Sequence, residues 1–147
     1  MEIYGVEYEI EVRVSHYFHA SHALPARPEQ HEHRWEVEFT VAGELNPNTG
    51  MVCDMLILAD FFKPFTEDLD GIDLHQFEDF KGEDRFLALA AAYPTCDTLA
   101  HYFLWKTIPV FTAQEQFKGL RISQVKISIY EPQGTEAWGH ALIRPKQ

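Results

Sequence analysis

Hydrophobic and polar residues alternate along much of the first 44 residues of the chain. The run Glu2–Val14 has an apolar residue at nearly every second position, and Tyr17–His22 continues in extended form. A second alternating run covers His31–Glu44, and a loop around Pro25 and Pro28 separates it from the first. A period of two is typical of a β-strand with one buried face. The pattern therefore predicts two long strands joined by a loop.

Helical spacing follows the turn-forming sequence NPNTG. Asp54 is a good N-cap for a first helix, and Pro64 is expected to kink this helix or to end it. The next segment has the composition of a loop, with one short helical patch at Phe86–Ala91. A second helix is predicted to begin near Thr95 or Asp97, because both residue types cap helix N-termini.

Strand-like spacing returns near the C-terminus. Residues 120–129 and 137–143 alternate on either side of a turn and predict a β-hairpin. The resulting order of two strands, two helices and two strands predicts an α+β fold in one domain, residues 1–147. We expect a four-stranded antiparallel sheet with both helices on one face. Because such a sheet has open edges that proteins often cover by association, we also expect a homo-oligomer.

The composition narrows the range of partners. Twelve lysine and arginine residues stand against 23 aspartate and glutamate residues, which gives a net charge of −11. Such a surface repels phosphate backbones and anionic lipids, so neither nucleic acid nor a membrane is an expected partner. The two cysteines, Cys53 and Cys96, lack CxxC spacing, which argues against a disulfide framework or a thiolate zinc cage. With no signal-peptide pattern at the N-terminus, we expect a cytoplasmic protein.

Two histidines, His31 and His33, lie two positions apart at the start of the second alternating run. Alternate side chains of a strand share a face, so these imidazoles, about 7 Å apart at Cα, can converge on one ion. His22 ends the neighbouring extended segment. Three histidines on adjacent strands would form an open zinc site, with the fourth position left for water or substrate. Taken alone, the residues also fit ordinary surface or hydrogen-bonded histidines.

Six short motifs then follow one another along the chain: FHASHAL, HEH, GELNPNTGMVCDM, LDGIDLH, PTCDTLA and IYEP…EAW. This series, from about Phe18 to Trp138, resembles the 6-pyruvoyltetrahydropterin synthase/6-carboxytetrahydropterin synthase family. The resemblance implies the tunnelling fold (T-fold), in which subunits assemble as an oligomeric barrel, as trimers or hexamers. It also implies one zinc ion per chain, held by His22, His31 and His33.

The same resemblance implies a lyase that acts on 7,8-dihydroneopterin triphosphate or a related pterin. In queuosine biosynthesis the product of such an enzyme is 6-carboxytetrahydropterin. The family binds the pterin ring through a late glutamate, which matches Glu131, because a carboxylate accepts hydrogen bonds from two neighbouring N–H groups. Thr95 and Asp97 match a helix start whose amides and hydroxyl also contact the ring. N-capping is an equally good interpretation of these two residues.

The resemblance is weaker at the residues that transfer protons. The family's base is a cysteine four residues before the H-x-H pair, and that position is Arg27 here. A guanidinium stays protonated and is not a base, although it can hold a triphosphate or a carboxylate. An Asp–His pair normally completes the relay. Asp70 is present, but the histidine position is Gly71, so the usual relay is not expected.

Three residues are candidate replacements for the missing proton carriers. Glu29 lies two residues before the H-x-H pair, and some members of the family use a glutamate as base. His75 lies further along the LDGIDLH segment, and Cys96 follows Thr95 as a weaker candidate. Glu29 and His75, with Asp70 and Glu131, form the predicted catalytic set.

Two alternatives to this enzyme remain open at the level of sequence. One is a pterin- or purine-binding protein that kept the metal site and Glu131 but lost turnover. The other is a zinc enzyme of the same fold with a different substrate. The missing cysteine and histidine favour both alternatives over an unmodified family enzyme, whereas the kept metal ligands favour an enzyme over a simple binder.

Overall fold

The computed structural model describes residues 1–146. Its strands are β1 (Glu2–Ile3), β2 (Val6–Glu7), β3 (Ile10–Leu24), β4 (Arg27–Gly43), β5 (Ile72–Asp73), β6 (Arg121–Tyr130) and β7 (Gly139–Ile143). Its α-helices are α1 (Met55–Glu67), α2 (Arg85–Ala92) and α3 (Cys96–Thr112). Short 3₁₀ turns lie at Leu74–Gln76, Glu78–Phe80 and Glu115–Phe117. The α+β class predicted from the sequence is confirmed.

The main sheet has the strand order β5-β3-β4-β6-β7. Neighbouring strands from β3 to β7 are antiparallel, as predicted, but β5 adds a fifth strand that pairs parallel with β3 at Ala20 and Ser21. A strand of two residues is too short to show an alternating pattern, which is why the sequence does not reveal it. The predicted first strand is also divided, because Tyr4 and Gly5 adopt positive φ and turn β1 back onto β2.

β3 and β4 form one long hairpin whose turn is shorter than predicted. Leu24 pairs with Arg27, so β4 begins at Arg27 and includes Pro28, which the sequence places in a loop. Pro28 is tolerated because β6 reaches only as far as Arg34 on that side of β4. The first seven residues of β4 therefore pair only with β3, and their outer edge borders an open cleft.

The helices cover one face of the sheet. α1 packs on β3, and α3 packs on β6 and β7. Aromatic contacts join the sheet to the helices: the ring centroids of Phe39 and Phe62 on α1 lie 4.0 Å apart, and those of Phe18 and Phe103 on α3 lie 6.2 Å apart. The indole N–H of Trp35 donates to the carbonyl of Ala20 at 3.1 Å. This aromatic core reaches the end of the sheet that carries the clustered histidines.

The helix boundaries agree in part with the predicted ones. Asp54 caps α1, and Thr95 caps α3 through a capping box with Thr98. α1 continues through Pro64 to Glu67, so of the two effects predicted for this proline, a kink or an end of the helix, the end is not observed. The predicted patch near residues 86–91 is a third helix, α2. None of the helices within residues 1–146 has the length and apolar character needed to cross a membrane.

Candidate metal centre

Three histidines from β3 and β4 meet at one end of the sheet. His22 lies directly opposite His31 in the hairpin register, and His33 follows two residues later opposite Ala20. Their ring centroids are 4.6 Å (His22–His31), 4.8 Å (His31–His33) and 5.2 Å (His22–His33) apart. One nitrogen from each ring lies within 4.8 Å of the others. The hairpin thus brings together the three residues that the sequence predicts as ligands.

A backbone carbonyl orients each imidazole. The Nδ1 atoms lie against the carbonyl oxygens of Pro94 (2.7 Å, from His22), Glu29 (2.9 Å, from His31) and Tyr130 (3.0 Å, from His33). A carbonyl oxygen only accepts, so each Nδ1 carries the proton and donates it. The Nε2 atoms are then the free donors for an ion. Metal-binding histidines usually have this arrangement, in which the second nitrogen is bonded to a backbone or carboxylate oxygen.

The electrostatics of the cluster favour neutral rings. Burial lowers the pKa of His22 to about 4, against the opposing effect of its bond to Pro94. Burial also lowers the pKa of His33. Near pH 7 both imidazoles are therefore neutral, which is the form that binds metal. The buried indole of Trp35 closes the site from below, 5.2 Å from the ring of His22.

The donor set fits a zinc ion. Zinc in catalytic sites commonly takes three protein ligands, with Zn–N bonds of about 2.0–2.1 Å. Rings whose nitrogens lie within 4.8 Å of one another need only small movements to reach such bonds. His31 is the least buried of the three and faces the cleft, so the open coordination position would lie on that side.

The cleft beside His31 and His33 has a volume of about 500 Å³. Arg27 lies at its mouth, with the guanidinium carbon 5.2 Å from the centre of the Trp138 ring. The carboxylates of Glu29 and Glu131 line the cleft without an ion pair or a side-chain hydrogen bond within residues 1–146. Glu131, which the sequence assigns to ring binding, is exposed in the isolated chain.

A second recess, of about 280 Å³, lies on the other side of Trp138. It is bordered by His22 and by the start of α3, including Thr95 and Asp97. The Thr95 hydroxyl accepts a hydrogen bond from the Thr98 amide at 3.2 Å, and Asp97 is exposed in the first turn. Trp138 therefore separates these two predicted substrate-binding residues from Glu131 in the isolated chain.

Comparison with known proteins identifies the group to which the chain is related. A family model described as 6-pyruvoyl tetrahydropterin synthase matches residues 11–139. The chain belongs to this synthase family. The match covers β3 to the start of β7 and includes all three histidines of the metal centre.

Solved structures share the fold of this synthase family member at low identity. The Caenorhabditis elegans 6-pyruvoyl tetrahydropterin synthase is 17% identical with a TM-score of 0.64, covering 94% of this chain and 96% of that chain. An uncharacterised protein from Wolinella succinogenes is 19% identical with a TM-score of 0.61, covering 95% and 100%. The Plasmodium vivax enzyme with a glutamate changed to cysteine at a catalytic residue is 14% identical with a TM-score of 0.57, covering 95% and 100%. The predicted T-fold is confirmed.

Asp70 of this synthase family member lies at the edge of β3. Its Oδ1 accepts a hydrogen bond from the His19 amide at 2.8 Å, and the Gly71 amide donates to the His19 carbonyl at 2.6 Å. Gly71 has φ +77°, a conformation that a histidine at this position would adopt only with strain. The carboxylate and the glycine thus fasten the loop to the sheet.

His75 holds three backbone segments together. Its Nδ1 donates to the Ala91 carbonyl at 2.8 Å, and its Nε2 accepts from the Ala23 amide at 3.0 Å. Ala23 follows His22 of the histidine cluster in β3, so the ring steadies that end of the strand. Action as a proton carrier would require His75 to release one of these bonds. Its predicted place in the catalytic set stays a prediction.

Cys96 opens α3 beside the second recess. Burial raises the pKa of its thiol to about 12, with a further contribution from the charge of Asp97. Near neutral pH the thiol therefore stays protonated and is a poor base or nucleophile.

Trp138 is a site residue that sequence reasoning did not assign. Its ring lies 5.0 Å from that of His33 and under the guanidinium of Arg27, so it contacts both the metal centre and the cleft mouth. The only signal in the sequence is its place in the EAW motif, because the loop that carries it shows no periodic pattern.

Proposed function

We propose that the protein is a zinc-dependent lyase-type enzyme that acts on 7,8-dihydroneopterin triphosphate or a related pterin. The observation that carries this proposal is the set of three imidazoles from His22, His31 and His33, each with Nδ1 bonded to a carbonyl and Nε2 left free beside an open cleft. A zinc ion bound there would act as a Lewis acid toward a substrate oxygen and increase the acidity of the adjacent C–H bond.

Glu131 is the proposed acceptor for the pterin ring. Its carboxylate lies in the cleft with His31 and His33, interacts electrostatically with His33, and makes no ion pair or side-chain hydrogen bond within residues 1–146. Two carboxylate oxygens match the ring N–H and exocyclic amine of an aminopyrimidinone, which present two donors side by side. Thr95 and Asp97, on the far side of Trp138, complete the proposed set if the ring extends past the indole.

Glu29 is the proposed base. It is in the same strand as His31, lines the cleft, and its side chain makes no hydrogen bond or ion pair within the described residues. His75 and Asp70 are both bonded to backbone groups, and Cys96 has a raised pKa, so Glu29 is the candidate that is free to accept a proton. A glutamate is also described as a catalytic residue in the Plasmodium vivax enzyme.

The proposal extends to the assembly and location of the protein. A homo-oligomer, as a trimer or a hexamer, would cover the open edges of the sheet. Cytoplasmic location is supported by Cys53 and Cys96, which are free thiols. Cleavage of the substrate side chain with release of acetaldehyde and triphosphate, which leaves its first carbon as the carboxylate of 6-carboxytetrahydropterin, would place the enzyme in queuosine biosynthesis.

Metal analysis and product analysis test the proposal. We expect the purified protein to contain about one zinc per chain, and His31→Ala to lose it, because two imidazoles on a strand pair no longer enclose the ion. His101→Ala, on α3 away from the cluster, is the matched control and should keep the metal. Metal content that is unchanged in His31→Ala would contradict the proposal.

A pterin-binding protein without turnover is the second candidate. It is favoured by Arg27 at the position of the usual base and by the backbone bonds of Asp70 and His75. Incubating the zinc-loaded protein with 7,8-dihydroneopterin triphosphate and analysing the products by mass spectrometry distinguishes the lyase from the binding protein. Acetaldehyde release supports the queuosine-type lyase, whereas unchanged substrate with binding that depends on Glu131 supports the binder.

A further inference from the structure

Arg27 is an unpaired cation in a cleft rich in carboxylates. Within residues 1–146 its guanidinium makes no ion pair and no hydrogen bond, and its one described contact is the face of Trp138 at 5.2 Å. The acidic residues that line the same cleft are Glu29, Glu32 and Glu131, and none comes within ion-pair distance of Arg27. The five N–H donors of the side chain are therefore available to a ligand.

Trp138 fixes the position of this cation relative to the metal centre. The guanidinium of Arg27 lies over the Trp138 ring. The ring of His33 also contacts it, at 5.0 Å between centroids and an interplanar angle of 75°. The backbone at Trp138 is held in turn, because its amide N–H donates to the Ile129 carbonyl at 2.8 Å. A guanidinium stacked on an aromatic face keeps its edge free for a planar, two-point contact with an oxyanion.

The charges around the cleft limit what that oxyanion is. One guanidinium faces three carboxylates in the cleft, and a divalent ion at the histidines would add two positive charges, on a chain whose net charge is −11. A triphosphate would bring several negative charges against these carboxylates, with one arginine of this chain and the ion at the histidines to offset them. A carboxylate brings one charge and matches the two-point geometry of the arginine.

We propose that Arg27 is a specificity-determining residue and that the site takes a pterin whose side chain ends in one carboxylate close to the metal. This inference rests on the proposed function and selects, among related pterins, a carboxylate over the triphosphate. Arg27 occupies the place of the usual base and binds the acidic group of the substrate, while Trp138 positions it.

Calorimetric titration of the zinc-loaded protein tests the proposal with three probes. Pterin-6-carboxylate should bind at least about tenfold more tightly than neutral 6-hydroxymethylpterin, since a charge-assisted two-point contact is gained. Neopterin triphosphate should bind no more tightly than the neutral pterin. Arg27→Gln should lose the preference, and Arg27→Lys, which keeps the charge but not the fork, should retain only part of it.

Arg85→Gln is the matched control, because Arg85 also stacks on an aromatic ring, that of Phe86 at 4.9 Å, but on the outer surface of α2. It should keep the full preference. Equal affinity for the carboxylate and the neutral pterin, a preference that survives in Arg27→Gln, or tightest binding of the triphosphate would overturn the proposal.

A probe without a pterin ring keeps the test independent of the proposed function. Pyruvate can be titrated into the cobalt-loaded protein and followed by the visible absorption of the ion. Arg27→Gln should weaken pyruvate binding about tenfold relative to Arg85→Gln. Failure of every pterin to bind would overturn the proposed function, and equal pyruvate binding in the two variants would overturn the role of Arg27.

Discussion

Each histidine of the candidate metal centre is oriented by a carbonyl from a different part of the chain. His22 is oriented by the segment that precedes α3, His33 by the end of β6, and His31 by its own strand. These contacts set the tautomer as well as the direction of each ring. Every residue has a backbone carbonyl, so residue identity does not reveal which carbonyl orients a side chain. The sequence therefore predicts the three candidate ligands but not the groups that orient them.

His75→Phe tests whether that ring is structural or catalytic. The substitution leaves the Ala23 amide and the Ala91 carbonyl without their side-chain partner, and we expect a loss of about 1–3 kcal/mol in the free energy of unfolding. Urea unfolding measures this loss, with His101→Phe as the control. Unchanged stability together with abolished turnover would show instead that His75 is the proton carrier.

The thiol of Cys96 should be unreactive in the folded protein. Because burial raises its pKa to about 12, almost no thiolate forms at pH 8, where alkylating reagents attack ordinary cysteines. Iodoacetamide labelling followed by peptide mass analysis should leave Cys96 unmodified in native protein and modified in urea. Rapid labelling of the native protein at pH 8 would contradict the assigned environment.

At the scale of elements, the alternating pattern predicts the strands that pair along their whole length. The long hairpin and the C-terminal hairpin follow from a period of two, and both are present as β3–β4 and β6–β7. The pattern does not predict β5 or the division of the first strand, because a strand of two residues is too short to show a period of two. The cleft arises from a difference in strand length, since β4 extends seven residues beyond β6. Where the pairing between two strands ends depends on the tertiary structure, so the sequence pattern does not predict the cleft.

The turn at Glu78–Phe80 is tied to α3 by a polar cluster. Asp79 accepts hydrogen bonds from Lys106 and from the Tyr102 hydroxyl, both at 2.8 Å. Burial acts to raise the pKa of Asp79, but the bonds to Lys106 and Tyr102 outweigh it, and the net shift is downward. A lowered carboxyl pKa means that the folded state is favoured while the group is ionised.

Asp79→Asn should therefore destabilise the protein in a pH-dependent way. We expect a loss of about 1 kcal/mol at pH 7, a value discounted for screening because Lys106 is 35% exposed. The difference from the wild type should be complete above the ordinary value of 3.8 and vanish as the pH falls below it toward the lowered pKa. Unfolding by urea at several pH values measures it. Glu78→Gln, which removes an exposed pair with Lys81, should show almost no effect.

At the scale of the whole molecule, the isolated chain has features of a subunit. The outer edge of β7 is unpaired within residues 1–146, and Leu142 on it is 40% exposed. On the sheet face away from the helices, buried atoms of Arg34, Glu38 and Thr40 lack hydrogen-bond partners. Proteins usually pair such edges and satisfy such groups, so a neighbouring subunit is expected to lie against this side.

Light scattering should accordingly give a mass of three or six copies of the 17.0 kDa chain. Leu142→Glu adds a charge to the edge of β7 on an already acidic chain, and we expect it to shift the population toward smaller species. Phe86→Glu, at an exposed position on α2, is a control for a change of charge alone. A monomeric mass at every concentration tested would contradict the expected assembly.

The two-residue turn at the tip of the long hairpin ties strand alignment to ion capture. His22 faces His31 across it, and a slip of one position would send both histidines of β4 to the opposite surface. Because a bound ion would report this alignment, we expect a variant with one alanine inserted after Pro25 to fold but to bind the ion more weakly if the insertion shifts the register. Colour from bound cobalt would then mark, during refolding, the moment at which the two strands find their correct alignment.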